Sequence, residues 1–198
     1  MIKIAFSALR ITIVMVVLTG VVYPVSVWGI GQALFKEQAN GSIIYKDNKA
    51  VGSLLIAQKF ESDKYFHSRP SAIDYGQTSE EDYKKGNYIY NSGGSNWGPS
   101  NKKLIDRIGE DIKKLKKENP NQKIPLDMVT TSSSGLDPDI TVDSAIWQIE
   151  RISKARNIST DKLKELIEKN TQNPFLGFNG EKRVNVLKMN LELDELKS

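Results

Sequence analysis

Between Ile11 and Phe35 the chain passes through twenty-five positions without a charged side chain, built mostly of Val, Ile, Leu and Gly. As a helix this run is roughly 37 Å long, enough to cross a hydrocarbon core with some tilt. Lys3 and Arg10 precede it with no acidic residue, whereas Lys36 is followed at once by Glu37. The positive-inside rule then predicts a cytoplasmic segment at 1–10, a membrane helix at 11–35 and an extracytoplasmic domain at 36–198. A cleaved signal peptide would carry an apolar core of about 7 to 15 residues with a small-x-small site after it. This run is longer and Ala33-Leu34-Phe35 is a poor site, so a retained anchor is expected.

Beyond the anchor the apolar positions fall into short, mixed patterns. Ile43-Ile44-Tyr45 and Ala50-Val51 flank the polar Lys46-Asp47-Asn48-Lys49, which predicts a hairpin. Residues 59–91 are polar and aromatic and read as ordered loop, with a short helix around 79–85. Leu104, Ile108, Ile112 and Leu115 then recur at helical spacing, capped by Ser100 or Asn101 and ended by Asn119-Pro120. Thr141 caps a second helix with Ala145, Ile149 and Ile152 inward and Arg151, Lys154 and Arg156 outward. Ser159 or Thr160 caps a third, carrying Leu163, Leu166 and Ile167, and Asn173-Pro174 closes it. Val184 and Val186, then Leu187, Met189, Leu191 and Leu193, alternate in two phases, which predicts a strand with a bulge near Val186. The expected fold is one transmembrane helix plus one mixed α/β (α+β) extracytoplasmic domain.

Charge narrows the partners. Taking Lys3 and Arg10 from the 28 Lys+Arg leaves 26 against 24 Asp+Glu, interleaved in sign rather than striped, which argues against nucleic acid. With no cysteine and one histidine, thiolate sites, Cys nucleophiles and histidine-rich metal centres are excluded by counting. Within the anchor Thr12, Thr19 and Ser26 are seven residues apart, on one face of a regular helix, and Gly20, Gly29 and Gly31 add small positions. Such residues let membrane helices approach closely, so this face is expected to pack on another helix. Pro24 cannot donate to the carbonyl of Gly20, which predicts a kink near mid-span.

Two loops draw attention as candidate chemistry. Ser92-Gly93-Gly94-Ser95-Asn96-Trp97-Gly98-Pro99-Ser100-Asn101 is rich in glycine and leads into a helix start, the arrangement that can cradle an anion. Its spacing fits neither G-x-x-x-x-G-K-[ST] nor G-x-G-x-x-G, so a structural or partner-facing loop is expected, with Trp97 a contact residue or a core plug. The second, 130–139, holds Ser134, Gly135 and Asp137. A serine hydrolase using His67 would need a G-x-S-x-G elbow, and Trp97 occupies the last glycine's place after Gly93-Gly94-Ser95-Asn96. Asp137 and Asp139 flank Pro138 and read as turn and helix-start residues rather than a metal site.

Taken together, the blocks resemble the C subunit of the Kdp potassium-transporting P-type ATPase over nearly the whole chain. They are Gly20-Val21-Val22-Tyr23-Pro24, Ala39-Asn40-Gly41-Ser42, Gly52-Ser53-Leu54-Leu55-Ile56-Ala57-Gln58 with Phe60, and Tyr65-Phe66 with Arg69-Pro70-Ser71-Ala72. The Ser92-Gly93-Gly94-Ser95-Asn96 block with Gly98-Pro99-Ser100-Asn101 is the most recognisable. Asp127, Val129-Thr130, Ser134-Gly135-Leu136-Asp137-Pro138 and Arg183-Val184-Asn185-Val186-Leu187 with Asn190-Leu191 complete the series. Ala57, Ser133 and Asn157 stand where the family usually has glycine, and Asp139 where histidine is common.

The resemblance implies an accessory, non-hydrolysing subunit in the plasma membrane. Its partners would be a channel-like potassium-binding subunit, an ATP-hydrolysing P-type subunit and a small membrane peptide. It also implies a catalytic chaperone that raises the pump's affinity for ATP, with the loop at 92–101 invoked in nucleotide contact and potassium handled by the complex. Because ATP is cytoplasmic and the charge asymmetry places the loop outside, the effect is expected to be allosteric. A direct nucleotide site in that loop and a membrane-tethered hydrolase are the alternatives.

Overall fold

A computed structural model describes residues 2–77, 81, 84–85 and 91–196, which divide into two compact units, 1–51 and 52–198. The first is dominated by one 33-residue helix, α1 (Ile2–Leu34), long and apolar enough to cross a membrane. No residue of it is buried in the chain's own fold. Leu18–Val22 form a π-helical turn, in which the Tyr23 N–H reaches back to the Leu18 carbonyl. Pro24 predicts a kink here, and what the structure carries is this π turn just before Tyr23-Pro24. A π turn takes up one extra residue, so positions after it are rotated by about 100° from those before it. Thr12 and Thr19 therefore keep their common face, while Ser26 is turned away from it, and the predicted single stripe becomes two patches.

After α1 the chain turns at Phe35 into the short α2 (Lys36–Ala39). The Asn40 side-chain amide secures the bend, donating to the Lys36 carbonyl at 2.6 Å and to Gln32 Oε1 at 3.1 Å. The predicted hairpin follows as β1 (Ile43–Lys46) and β2 (Lys49–Ser53). Asp47 and Asn48 both take positive φ (51° and 60°), the requirement of a tight two-residue turn that Asn and Asp tolerate.

The second unit contains α3 (Lys102–Glu118), β3 (Asp139–Thr141), α4 (Val142–Trp147), α5 (Ile149–Arg156), α6 (Thr160–Asn170), β4 (Thr171–Gln172), β5 (Arg183–Asn185) and α7 (Val186–Glu195). The strands pair antiparallel in the order β3-β5-β4, with Ile140 opposite Val184 and Thr171 also opposite Val184. Against this small sheet the helices bury Ala145, Ile149, Ile152, Leu163, Leu166, Ile167, Met189 and Leu193 in one core with Phe66. The expected caps are formed: Asn101 accepts from Lys103 N, Thr141 from Ser144 N and Ser159 from Lys162 N. Asn157 takes the left-handed conformation at the end of α5 (φ 55°), which explains how it serves where the resembling family has glycine.

Two expectations are corrected. The bulged strand beginning at Val184 is a three-residue strand followed by a helix. Asn185 caps α7 by accepting from Lys188 N at 3.1 Å, and Val186, Leu187, Met189, Asn190 and Leu193 form its buried face. Arg151 and Arg156 do not point outward either. Arg151 pairs with Glu118 at 2.9 Å and donates to the Asp63 and Tyr65 carbonyls, and its side chain is only 8% exposed. Arg156 lies over the Tyr65 ring at 4.7 Å and pairs with Asp194. The helix expected at 79–85 falls largely outside the described residues.

Candidate functional site

The two loops singled out in the sequence meet. Gly93 N–H donates to the Ser134 carbonyl at 2.8 Å, and Ser92 Oγ donates to the same oxygen at 3.0 Å. Glycine is required at the crossing. A Cβ on Gly94 would sit 2.9 Å from the Ser133 carbonyl oxygen, and Gly135 combines φ +68° with Cβ contacts of 2.5 Å to Ile73 and 2.7 Å to the Gly93 oxygen.

A third segment completes the weave. Ser71 Oγ donates to the Gly135 carbonyl at 2.8 Å and accepts from Tyr75 N, while Tyr75 OH donates to the Arg69 carbonyl. Arg69 Nη1 pairs with Asp137 at 3.0 Å and its Nη2 donates to Thr130 Oγ1 at 3.3 Å. Nothing in the local sequence pattern marks Arg69, Ser71 and Tyr75 as site residues. The signal available was an arginine in a polar loop with an aspartate, Asp137, in another. Below them Asp127 accepts from Thr141 N, Thr141 Oγ1 and Ser144 Oγ, tying the loops to the start of α4.

The exposed side of this weave is a shallow groove of about 410 Å³. Leu55, Ile56, Ser132, Ser133, Leu136 and Pro138 line it, together with Arg69, Ser134 and Asp137. Ser95 is partly covered, and Asn96 (φ 54°), Gly98 and Ser100 are exposed. Trp97 is 37% exposed, a surface residue rather than a core plug. Asp137 turns the chain by accepting from Asp139 N at 3.2 Å, as a turn aspartate does. Asp139 in turn pairs with Arg183 at 2.9 Å and accepts from Asn185. Burial pushes its carboxyl above the usual carboxylate range. Among the described residues no three His, Asp or Glu side chains gather in a way that could hold a metal ion.

His67 is held elsewhere in the unit. Its Nε2 donates to the Ser62 carbonyl at 3.1 Å. Burial first, and the charge of Arg151 second, push its pKa below the usual imidazole value. A polar cleft of about 240 Å³ lies beside it, lined also by Arg69, Asp111, Lys114, Glu118 and Gln148. The backbone of His67 and of the residue before it is clamped by side-chain amides. Asn190 accepts from Phe66 N (2.8 Å) and donates to Phe66 O (2.9 Å), and Gln148 does the same for His67 (2.8 and 3.2 Å). The imidazole is committed to a backbone carbonyl, while Ser134 Oγ accepts from Leu136 N and Ser92 Oγ is bonded to a carbonyl. These bonds do not place Ser92 or Ser134 on the imidazole.

Two of the anchor's hydroxyls are also committed. Thr19 Oγ1 donates to Met15 O and Ser26 Oγ to Val22 O, each at 2.7 Å, and a Cβ on Gly20 would meet nothing within 4 Å.

Comparison with known proteins agrees over almost the full length. The family described as "K+-transporting ATPase, c chain" matches residues 5–195. The "Potassium-transporting ATPase KdpC subunit" of Bradyrhizobium diazoefficiens is 49% identical over 193 residues, 94% of either chain. The subunit of that name from Rhodopseudomonas palustris strain BisB5 is 46% identical over 98% of either chain. That of Bacillus cereus strain Q1 is 46% identical over 95% of this chain and 93% of its own. One apolar helix able to span a bilayer, a mixed α/β unit with a glycine-gated loop crossing, and this full-length similarity together place the chain in the KdpC family of potassium-transporting ATPase subunits.

Proposed function

We propose that the chain is an accessory, non-hydrolysing subunit that stabilises the potassium-transporting assembly and raises the ATP affinity of its P-type subunit. The observation that carries this reading is the closed loop crossing. The Gly93 and Gly135 N–H groups are spent on the Ser134 and Ser132 carbonyls inside the domain. They do not face outward as the amides of a phosphate cradle must. What faces outward is a half-apolar groove beside Leu55 and Ile56, a surface suited to a protein partner.

Lys3 and Arg10 favour an N-terminus in the cytoplasm and the second unit outside, over the mouth of the channel-like potassium-binding subunit. The anchor packs on neighbouring membrane helices through Thr12, Thr19 and Gly20, with Ser26 on a second patch. An effect on ATP affinity then travels through the membrane helices as a coupling free energy. The test is a single cysteine at Ser95 in this cysteine-free chain, treated in intact cells with a membrane-impermeant thiol reagent. Labelling from outside is expected. Protection in cells with labelling in inside-out vesicles would reverse the orientation and favour direct nucleotide contact.

A further inference from the structure

Pro24 and the π turn leave the middle of α1 short of donors. In a regular helix each carbonyl accepts from the N–H four residues on, and in a π turn from the one five residues on. Tyr23 N–H is given to Leu18 O, and Pro24 has no N–H to give. The carbonyl of Thr19 therefore has no N–H within either reach, and that of Gly20 has only that of Val25, which is the regular partner of Val21. The hydroxyls nearest in sequence cannot make up the deficit, because Thr19 Oγ1 is bonded to Met15 O and Ser26 Oγ to Val22 O.

Backbone groups left without a partner in a bilayer are costly, and membrane proteins satisfy them from neighbouring helices, side chains or ordered water. Access is open at this point, since the space beside Gly20 is empty to 4 Å. We propose that the Thr19 and Gly20 carbonyls are the acceptor site for a hydrogen-bond-donating side chain on a membrane helix of a partner subunit. The donor belongs to the hydroxyl, amide, indole or cationic class. It would enter over Gly20 and lock the register of the two helices. This rests on the reading that α1 packs on a partner, and adds which backbone atoms receive that partner's donor.

The experiment uses the full complex in mild detergent and measures retention of this chain on dilution. Pro24→Ala restores the missing N–H, and Gly20→Leu blocks the approach. Each is expected to weaken association about three- to tenfold, the range for single interhelical hydrogen bonds. Gly29→Leu, also with open space at its Cβ but in a regular helical turn, is expected to change it less than twofold. Equal loss in Gly29→Leu would overturn the inference by making the effect one of bulk alone. Unchanged retention in Pro24→Ala and Gly20→Leu, with loss in a Thr12, Thr19 and Ser26 to leucine triple variant, would overturn it and leave helix packing standing. Unchanged retention in all of them would remove both.

Discussion

Leu163 and Gly135 belong to the same unit, yet a change of a few atoms harms them for opposite reasons. Leu163 is fully buried among the α5, α6 and α7 side chains, and its surroundings hold together by filling space. Gly135 lies where three polypeptide segments touch, and its surroundings hold together by hydrogen bonds between backbone atoms too close for a Cβ. The helical part is a packed core, so it registers missing volume. The loop part is a woven one, so it registers added volume and displaced polar groups. A partner-binding surface built the second way keeps its shape without a large apolar core beneath it.

Three measurements on the full-length chain in mild detergent would sharpen or break this contrast. Leu163→Ala should cost about 2–5 kcal/mol, read by thermal or urea unfolding, because the cavity cannot be refilled by solvent. A loss under about 1 kcal/mol would mean that the helical core collapses freely and the contrast is false. Gly135→Ala should cost about 1–3 kcal/mol through its positive φ and the contacts with Ile73 and Gly93 O. Combining it with Ile73→Ala should recover part of that loss, whereas simple additivity would show that the crossing is not the cause.

The smallest effect is one of pH. His67 titrates below its ordinary value in the folded chain, so the unfolded chain binds its proton first on acidification. Stability from this group is present above the unfolded value near 6.5 and is lost as pH falls toward the depressed folded one. His67→Gln should flatten the decline in melting temperature between about pH 7 and 5 relative to the parent chain. An unchanged slope would assign the decline to other groups.

The packed part was largely readable from the sequence. Its caps at Asn101, Thr141 and Ser159 and its inward Ala145, Ile149, Ile152, Leu163, Leu166 and Ile167 follow from local chemistry and a 3.6-residue period. The last helix was not, and the reason is Asn190. A polar residue on the buried face broke the apolar helical pattern. Leu187, Met189, Leu191 and Leu193 were left to imitate a strand. Asn190 is inward because its amide serves the Phe66 backbone, 124 residues earlier. Arg151 and Arg156 read as solvent-facing for the same cause, since the carbonyls that draw them inward belong to residues 63–65. For the site, the sequence marked both loops but not that they meet, or that Arg69 joins them. Those contacts are long-range and leave no periodic trace.

The clamps on Phe66 and His67 also set an order in time. Each amide offers one donor and one acceptor to a single residue, as a neighbouring strand would, but Asn190 is carried by α7 and Gln148 by the α4–α5 junction rather than by a sheet. Residues 66 and 67 leave the ribosome well before Gln148 and Asn190, so their backbone groups lack these partners until the α4–α5 junction and α7 have formed and docked. Contacts so distant in sequence are slow to close. In pulsed hydrogen exchange the Phe66 and His67 amides should therefore gain protection after those of α5 and α6. The side of the candidate partner surface formed by Arg69, two residues on, is then expected to be completed only on a chain whose C-terminal helices are already in place.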